Sequence, residues 1–116
     1  MITKKYKAPL YNTKFTVIIY SEHKEIEAYF KKMDFEVPDN CDAWVYEIKG
    51  MIYCVFYALE KGYPTPGIIA HESKHLVNNI FIRIGHKLSR WNDEPEAYLL
   101  GWIVDRIHEL KDSKKC

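Results

Sequence analysis

The run His71-Glu72-Ser73-Lys74-His75 places two imidazoles and a carboxylate at a spacing suited to holding a metal ion. In a helix turning about 100° and rising about 1.5 Å per residue, positions 71 and 75 lie about 40° apart and roughly one turn along the axis. Both rings would then meet one ion. Glu72 falls on the flank of that face, within reach of a metal-bound water without being a ligand. Zinc lowers the pKa of such a water and polarises a substrate carbonyl, and the adjoining carboxylate takes the proton. The spacing therefore predicts Zn2+ on His71 and His75, with Glu72 as general base. The competing reading is a pair of exposed or capped histidines in an ordinary amphipathic helix.

A third ligand must come from another element, and Glu94 and Glu96 are the available carboxylates downstream. On a helical wheel with Glu96 at zero, Leu99, Leu100, Ile103, Val104, Ile107 and Leu110 fall within about 80° on either side, and Glu94 lies about 160° away. A carboxylate inside an apolar stripe needs a partner, because burying it unpaired is costly. Zinc would be that partner and Glu96 the third ligand. The alternative for Glu96 is a capping-box residue reaching back to the Asp93 amide. His86 and Tyr98 are the nearest candidates for a donor that stabilises a transition state.

Pro66-Gly67-Ile68-Ile69-Ala70-His71-Glu72-Ser73-Lys74-His75, followed after a short gap by Glu94-Pro95-Glu96-Ala97-Tyr98-Leu99-Leu100-Gly101-Trp102, resembles the gluzincins. These are metallopeptidases with HExxH on one helix and a glutamate on the next. The resemblance covers about residues 52 to 107 and is strongest to very small, phage-type members. It implies zinc on His71, His75 and Glu96, water activated by Glu72, and a peptide substrate aligned on an edge strand within Ile52 to Leu59. Many members carry an aspartate four residues after the ligand glutamate; here that position is Leu100. Asp93, Asp105 or a backbone carbonyl would have to orient the histidine instead.

The positioning elements are legible in part. Phe15 to Tyr20 is β-branched and aromatic and reads as a strand. Glu22 to Met33, after Ser21, carries Ile26, Tyr29, Phe30 and Met33 at helical spacing. Trp44 to Ile48 and Met51 to Leu59 flank Lys49-Gly50 as a hairpin. Thr65 as N-cap and Pro66 at the first helical position start a helix that runs to about Ile84, with Gly85 ending it. Its Ile69, Leu76, Val77, Ile80, Phe81 and Ile84 concentrate away from the histidines, with Ile82 near them and able to contact the next helix. In the link from Gly85 to Asn92, Leu88 and Trp91 are read as tucking inward. Asp93 then caps a helix that continues to Leu110. These elements predict an α+β minimal zincin-like domain: a small, mainly antiparallel sheet with three helices, one domain over 1–116 with its metal-binding core at about 52–110.

Apolar residues make up 47% and charged residues 28%, as in an ordinary globular chain, and the net charge of +1 gathers neither nucleic acid nor anionic membrane. Lys4, Lys5 and Lys7, and Lys111, Lys114 and Lys115, read as solvated tails. Cys41, Cys54 and Cys116 form neither a disulfide framework nor a metal knuckle; Cys54 lies in an apolar run as a buried thiol, and Cys116 reads as a loose terminal one. No apolar stretch reaches about 18 residues, which argues against a membrane span and for a cytoplasmic protein, in a bacterial host if phage-encoded. The expectation is a zinc-dependent metallopeptidase acting on peptide or protein substrate, with a homo-oligomer or larger partner compatible with its size. The alternative is a zinc-stabilised, non-catalytic interaction protein or virion-associated protein.

Overall fold

The structure is a computed structural model that describes residues 1–9, 11–39, 41–87 and 89–113. Its elements are β1 (Ile2–Lys7), β2 (Lys14–Tyr20), α1 (His23–Lys31), β3 (Ala43–Ile48), β4 (Met51–Tyr57), α2 (Pro66–Ile84) and α3 (Glu94–Ser113). The four strands form one sheet in the order β1-β2-β4-β3. The β1/β2 and β3/β4 pairs are antiparallel and β2/β4 is parallel, so the sheet is mixed but mostly antiparallel. An α+β fold with three helices is thus present.

Alternation along the two central strands separates two cores. Phe15, Val17 and Ile19 of β2 and Ile52, Cys54 and Phe56 of β4 face one side, where they meet the apolar stripes of α2 and α3. Ile18, Tyr20, Tyr53 and Val55 face the other, against Ile26 and Phe30 of α1 and Trp44 and Ile48 of β3. Each fully buried large apolar side chain contributes on the order of 2 kcal/mol. A strand with apolar residues on both faces is the pattern expected of a central strand covered by helices on both sides.

One strand and three single residues lie differently from expectation. Ile2–Lys7 is an edge strand rather than a tail, joined to β2 from Ile2↔Ile19 to Lys7↔Lys14. Lys111 is likewise no tail residue: its Nζ donates to the carbonyls of Gly62 (3.0 Å) and Pro64 (2.7 Å), tying the turn before α2 to the end of α3. Lys114, Lys115, Cys116 and Leu88 lie outside the described residues. Trp91 does not tuck inward but is 89% exposed, and Ile82 is 78% exposed rather than packed on the next helix. Among the described residues, no helix is long and apolar enough to cross a membrane.

Candidate functional site

The start of α2 is fixed as its sequence requires. Thr65 Oγ1 accepts the Ile68 N–H at 3.2 Å and Pro66 occupies the first turn, while Gly85 at φ 74° ends the helix. Ile69, Ser73, Leu76, Val77 and Ile80 are buried beneath, which leaves His71 and His75 on the opposite, exposed side. Their ring centroids are 4.9 Å apart at 75°. The two imidazoles therefore stand together as the i, i+4 spacing dictates.

The third ligand does not join them. On a wheel with His71 at zero, Lys74 falls at about −60°, on the flank that faces α3. Its ammonium pairs with the Glu96 carboxylate and also donates to Asn78 Oδ1 at 3.0 Å. The partner that a half-buried Glu96 needs is thus a lysine from within the histidine motif itself. Among the described residues, no three His, Cys, Asp or Glu side chains come together where they could hold a metal ion. The expectations of a Zn2+ cofactor, a gluzincin-like zincin domain and a zinc metallopeptidase are corrected by this arrangement: the proposed ligand set is two histidines and a glutamate already engaged by a cation. Glu72 accordingly has no metal-bound water to activate. His86 sits on Phe81 (4.5 Å between centroids) at the far end of α2, about four turns from His71, and Tyr98 is 55% exposed, without a hydrogen bond among the described residues.

Glu72 turns the other way, toward β3. It is 7% exposed and lines a cleft of about 360 Å³ with Asp42, Ala43, Gly67, Ile68 and His71. Its carboxylate accepts no hydrogen bond among the described residues; His71 Nε2 stands 3.7 Å away. Burial pushes the Glu72 carboxyl above its ordinary value, and the imidazoles of His71 and His75 pull it partly back. A larger hollow of about 700 Å³ lies between α1 and residues 34–39, where Lys24 and Lys31 mix with Glu27, Asp34, Glu36 and Asp39. Mixed signs on an open surface are the ordinary state of a solvated face.

The strand beside the cleft is an edge. β4, within the segment expected to align peptide, is flanked by β2 and β3 and has no free side; the outer strand is β3. Lys49 and Gly50, with φ of 50° and 84°, close a two-residue hairpin, and Tyr57 N–H donates to the Asp42 carbonyl at 2.7 Å at the other end. Alternation in the antiparallel ladder then turns the amides and carbonyls of Trp44, Tyr46 and Ile48 toward β4, and those of Ala43, Val45 and Glu47 outward. Arg83 of α2 pairs with Glu47, so α2 runs alongside β3 from the cleft at Ala43 to this ion pair.

Lys74, Asp42 and the outward groups of β3 were not singled out by sequence reasoning. Lys74 carried a signal, since it lies four residues before Asn78 on the flank that α3 must cover. Asp42 and the β3 edge become visible only with the strand order. Comparison with protein-family models, curated proteins and solved structures finds no match to this chain.

Proposed function

We propose that this chain is a non-catalytic protein-interaction domain that receives an extended segment of a partner protein along the free edge of β3. The observation that carries the reading is the contrast between the two edges of the sheet. Unpaired edges template further strand pairing, and proteins blunt them with charge, lysine above all. In β1 three of six residues are lysines, Lys4, Lys5 and Lys7. β3 reads Ala-Trp-Val-Tyr-Glu-Ile, and its one charge, Glu47, is matched by Arg83. The edge left open is also the one with α2 and its cleft beside it. An added strand would gain main-chain hydrogen bonds at Ala43, Val45 and Glu47 and side-chain contacts in the cleft, the division seen in strand-addition recognition.

The test is selection of a random dodecapeptide library on the full chain, followed by affinity measurements on wild type and Val45→Pro. Proline at position 45 removes an outward N–H and leaves the β3/β4 hydrogen bonds in place. Peptides that shift the amide resonances of residues 43, 45 and 47, and bind the variant at least tenfold more weakly, support the reading. A library without binders, or binders indifferent to the proline, would overturn it.

A further inference from the structure

We propose that the extended segment received by β3 is the β3 strand of a second copy of this chain, paired antiparallel about a two-fold axis at Val45. The inference rests on the reading of β3 as an open edge and names its partner. Ala43, Val45 and Glu47 are the residues whose amides and carbonyls point outward. In a two-fold register centred on Val45 each of them meets an outward residue of the other copy: Ala43 opposite Glu47, Val45 opposite Val45, Glu47 opposite Ala43. Centring on Trp44 or Tyr46 leaves one of the three without a partner in the strand.

The side chains match in the same register, since residues directly opposite one another project to one face and touch. On the α2 face Ala43, the smallest residue of the strand, meets Glu47, whose carboxylate is held by Arg83. The two copies of Glu47 then stand four residues apart, about 14 Å along the strands. Parallel in-register pairing would instead set these like charges side by side, which is unfavourable. On the α1 face Trp44 meets Tyr46 of the other copy, twice. Tyr46 is 48% exposed, its ring 5.6 Å from both Phe35 and Trp44 of its own chain. A cross-strand tryptophan–tyrosine pair covers that ring with an aromatic neighbour. The far edge of each sheet is β1, where Lys4, Lys5 and Lys7 oppose further pairing. The joined sheet thus closes at two copies rather than growing.

Sedimentation velocity over a concentration series, on wild type and Val45→Pro, reads the association, and oxidative cross-linking reads the register. In a Cys41→Ser, Cys116→Ser background, Val45→Cys would place two thiols on strands whose paired Cα atoms lie about 5.5 Å apart, a span a disulfide bridges. Glu47→Cys places them too far apart to join. The expected result is a wild-type dimer whose dissociation constant rises at least tenfold in Val45→Pro, with cross-linked dimer from Val45→Cys and none from Glu47→Cys. A dimer indifferent to Val45→Pro, or cross-linked through position 47 and not 45, would overturn the inference. A wild type that stays monomeric at millimolar concentration would also overturn it. If that monomer binds the selected dodecapeptides and Val45→Pro weakens them, strand addition stands with a different partner. A monomer that binds none of them would overturn both.

Discussion

Lys74 of α2 and Glu96 of α3 form an ion pair immediately beside the His71–His75 ridge, so the carboxylate closest in type to a third ligand is held by a cation. The pair is partly screened, with the two side chains 42% and 21% exposed. Such pairs contribute about 0.5–1 kcal/mol. Lys74→Met and Glu96→Gln are each expected to destabilise the fold by about that amount, and the double variant by less than the sum, because the residues are in contact. Urea unfolding of the four proteins measures the coupling. Any rise in melting temperature on adding zinc is expected to be the same in wild type and Glu96→Gln, since Glu96 is engaged by Lys74 and contributes no ligand. A zinc-dependent rise that disappears in Glu96→Gln would contradict the arrangement described above.

Glu72 makes stability depend on pH in an unusual direction. Its carboxyl is raised by burial, so the folded chain still holds a proton at pH values where the unfolded chain, near the ordinary 4.5, has released it. Where the folded state binds more protons, stability falls as pH rises. The contribution of Glu72 is therefore fully favourable below about 4.5, declines as pH climbs through the raised value, and remains lost above it. Glu72→Gln removes the charge and keeps the shape. The variant is expected to melt higher than wild type at pH 7.5, with the gap closing toward pH 4.5. A gap that widens on acidification would reverse the assigned sign.

The helices were legible because their signals are local. Thr65, Pro66 and Gly85 mark both ends of α2 within a few residues, and the stripe from Leu99 to Leu110 marks α3. The hairpin at Lys49-Gly50 was legible for the same reason. β1 was not, because Lys4, Lys5 and Lys7 fall on both faces of the strand and leave Ile2 and Tyr6 as its apolar signal. Its pairing with β2 is decided by tertiary contacts. The parallel β2/β4 pairing is likewise long-range, joining Phe15 to Ile52 across α1 and β3, and it is this pairing that makes β3 an edge. At the candidate site the wheel correctly required a partner for Glu96. Helical geometry alone could not choose between a metal and Lys74, since both lie on the same side of α2.

Cys54 is fully buried beneath α2, and burial, with the Glu72 charge adding to it, pushes its thiol well above its ordinary pKa. The thiolate is the reactive form, so this cysteine should be inert in the folded chain, in contrast to exposed Cys41. In a Cys41→Ser, Cys116→Ser background, modification by an aromatic disulfide reagent at pH 8 is expected to proceed at the rate of unfolding, and to become fast in denaturant. Rapid labelling of this background without denaturant would show that the β4 core opens on its own.

Gly101 lies in the middle of α3 on an exposed surface, and a Cβ placed there meets nothing within 4 Å. Glycine in a helix interior costs about 0.8–1.0 kcal/mol relative to alanine. Gly101→Ala is expected to stabilise the chain by up to that amount and to raise the melting temperature by a few degrees. An unchanged or lowered melting temperature would mean that this face of α3 is not free.

Tyr20 closes the aromatic stack at the end of β2, its ring 5.0 Å from Tyr57 and 5.8 Å from His23, and is 2% exposed. Burial is the main cause that pushes its phenol up to about 12, with Tyr57 next. An unfolded tyrosine ionises near 10, so between pH 10 and about 12 the unfolded chain gives up a proton that the folded chain keeps. Stability contributed by neutral Tyr20 is present below pH 10 and is lost progressively up to about 12. Burial also raises Tyr6 and Tyr53, which add to the same alkaline slope, so the decisive measurement is a difference between proteins. Tyr20→Phe keeps the ring stack and removes the ionisation. Denaturant unfolding at steps from pH 8 to 11 is expected to show a shallower loss of stability in the variant than in wild type. Parallel curves for the two proteins would mean that Tyr20 ionises as readily in the fold as out of it.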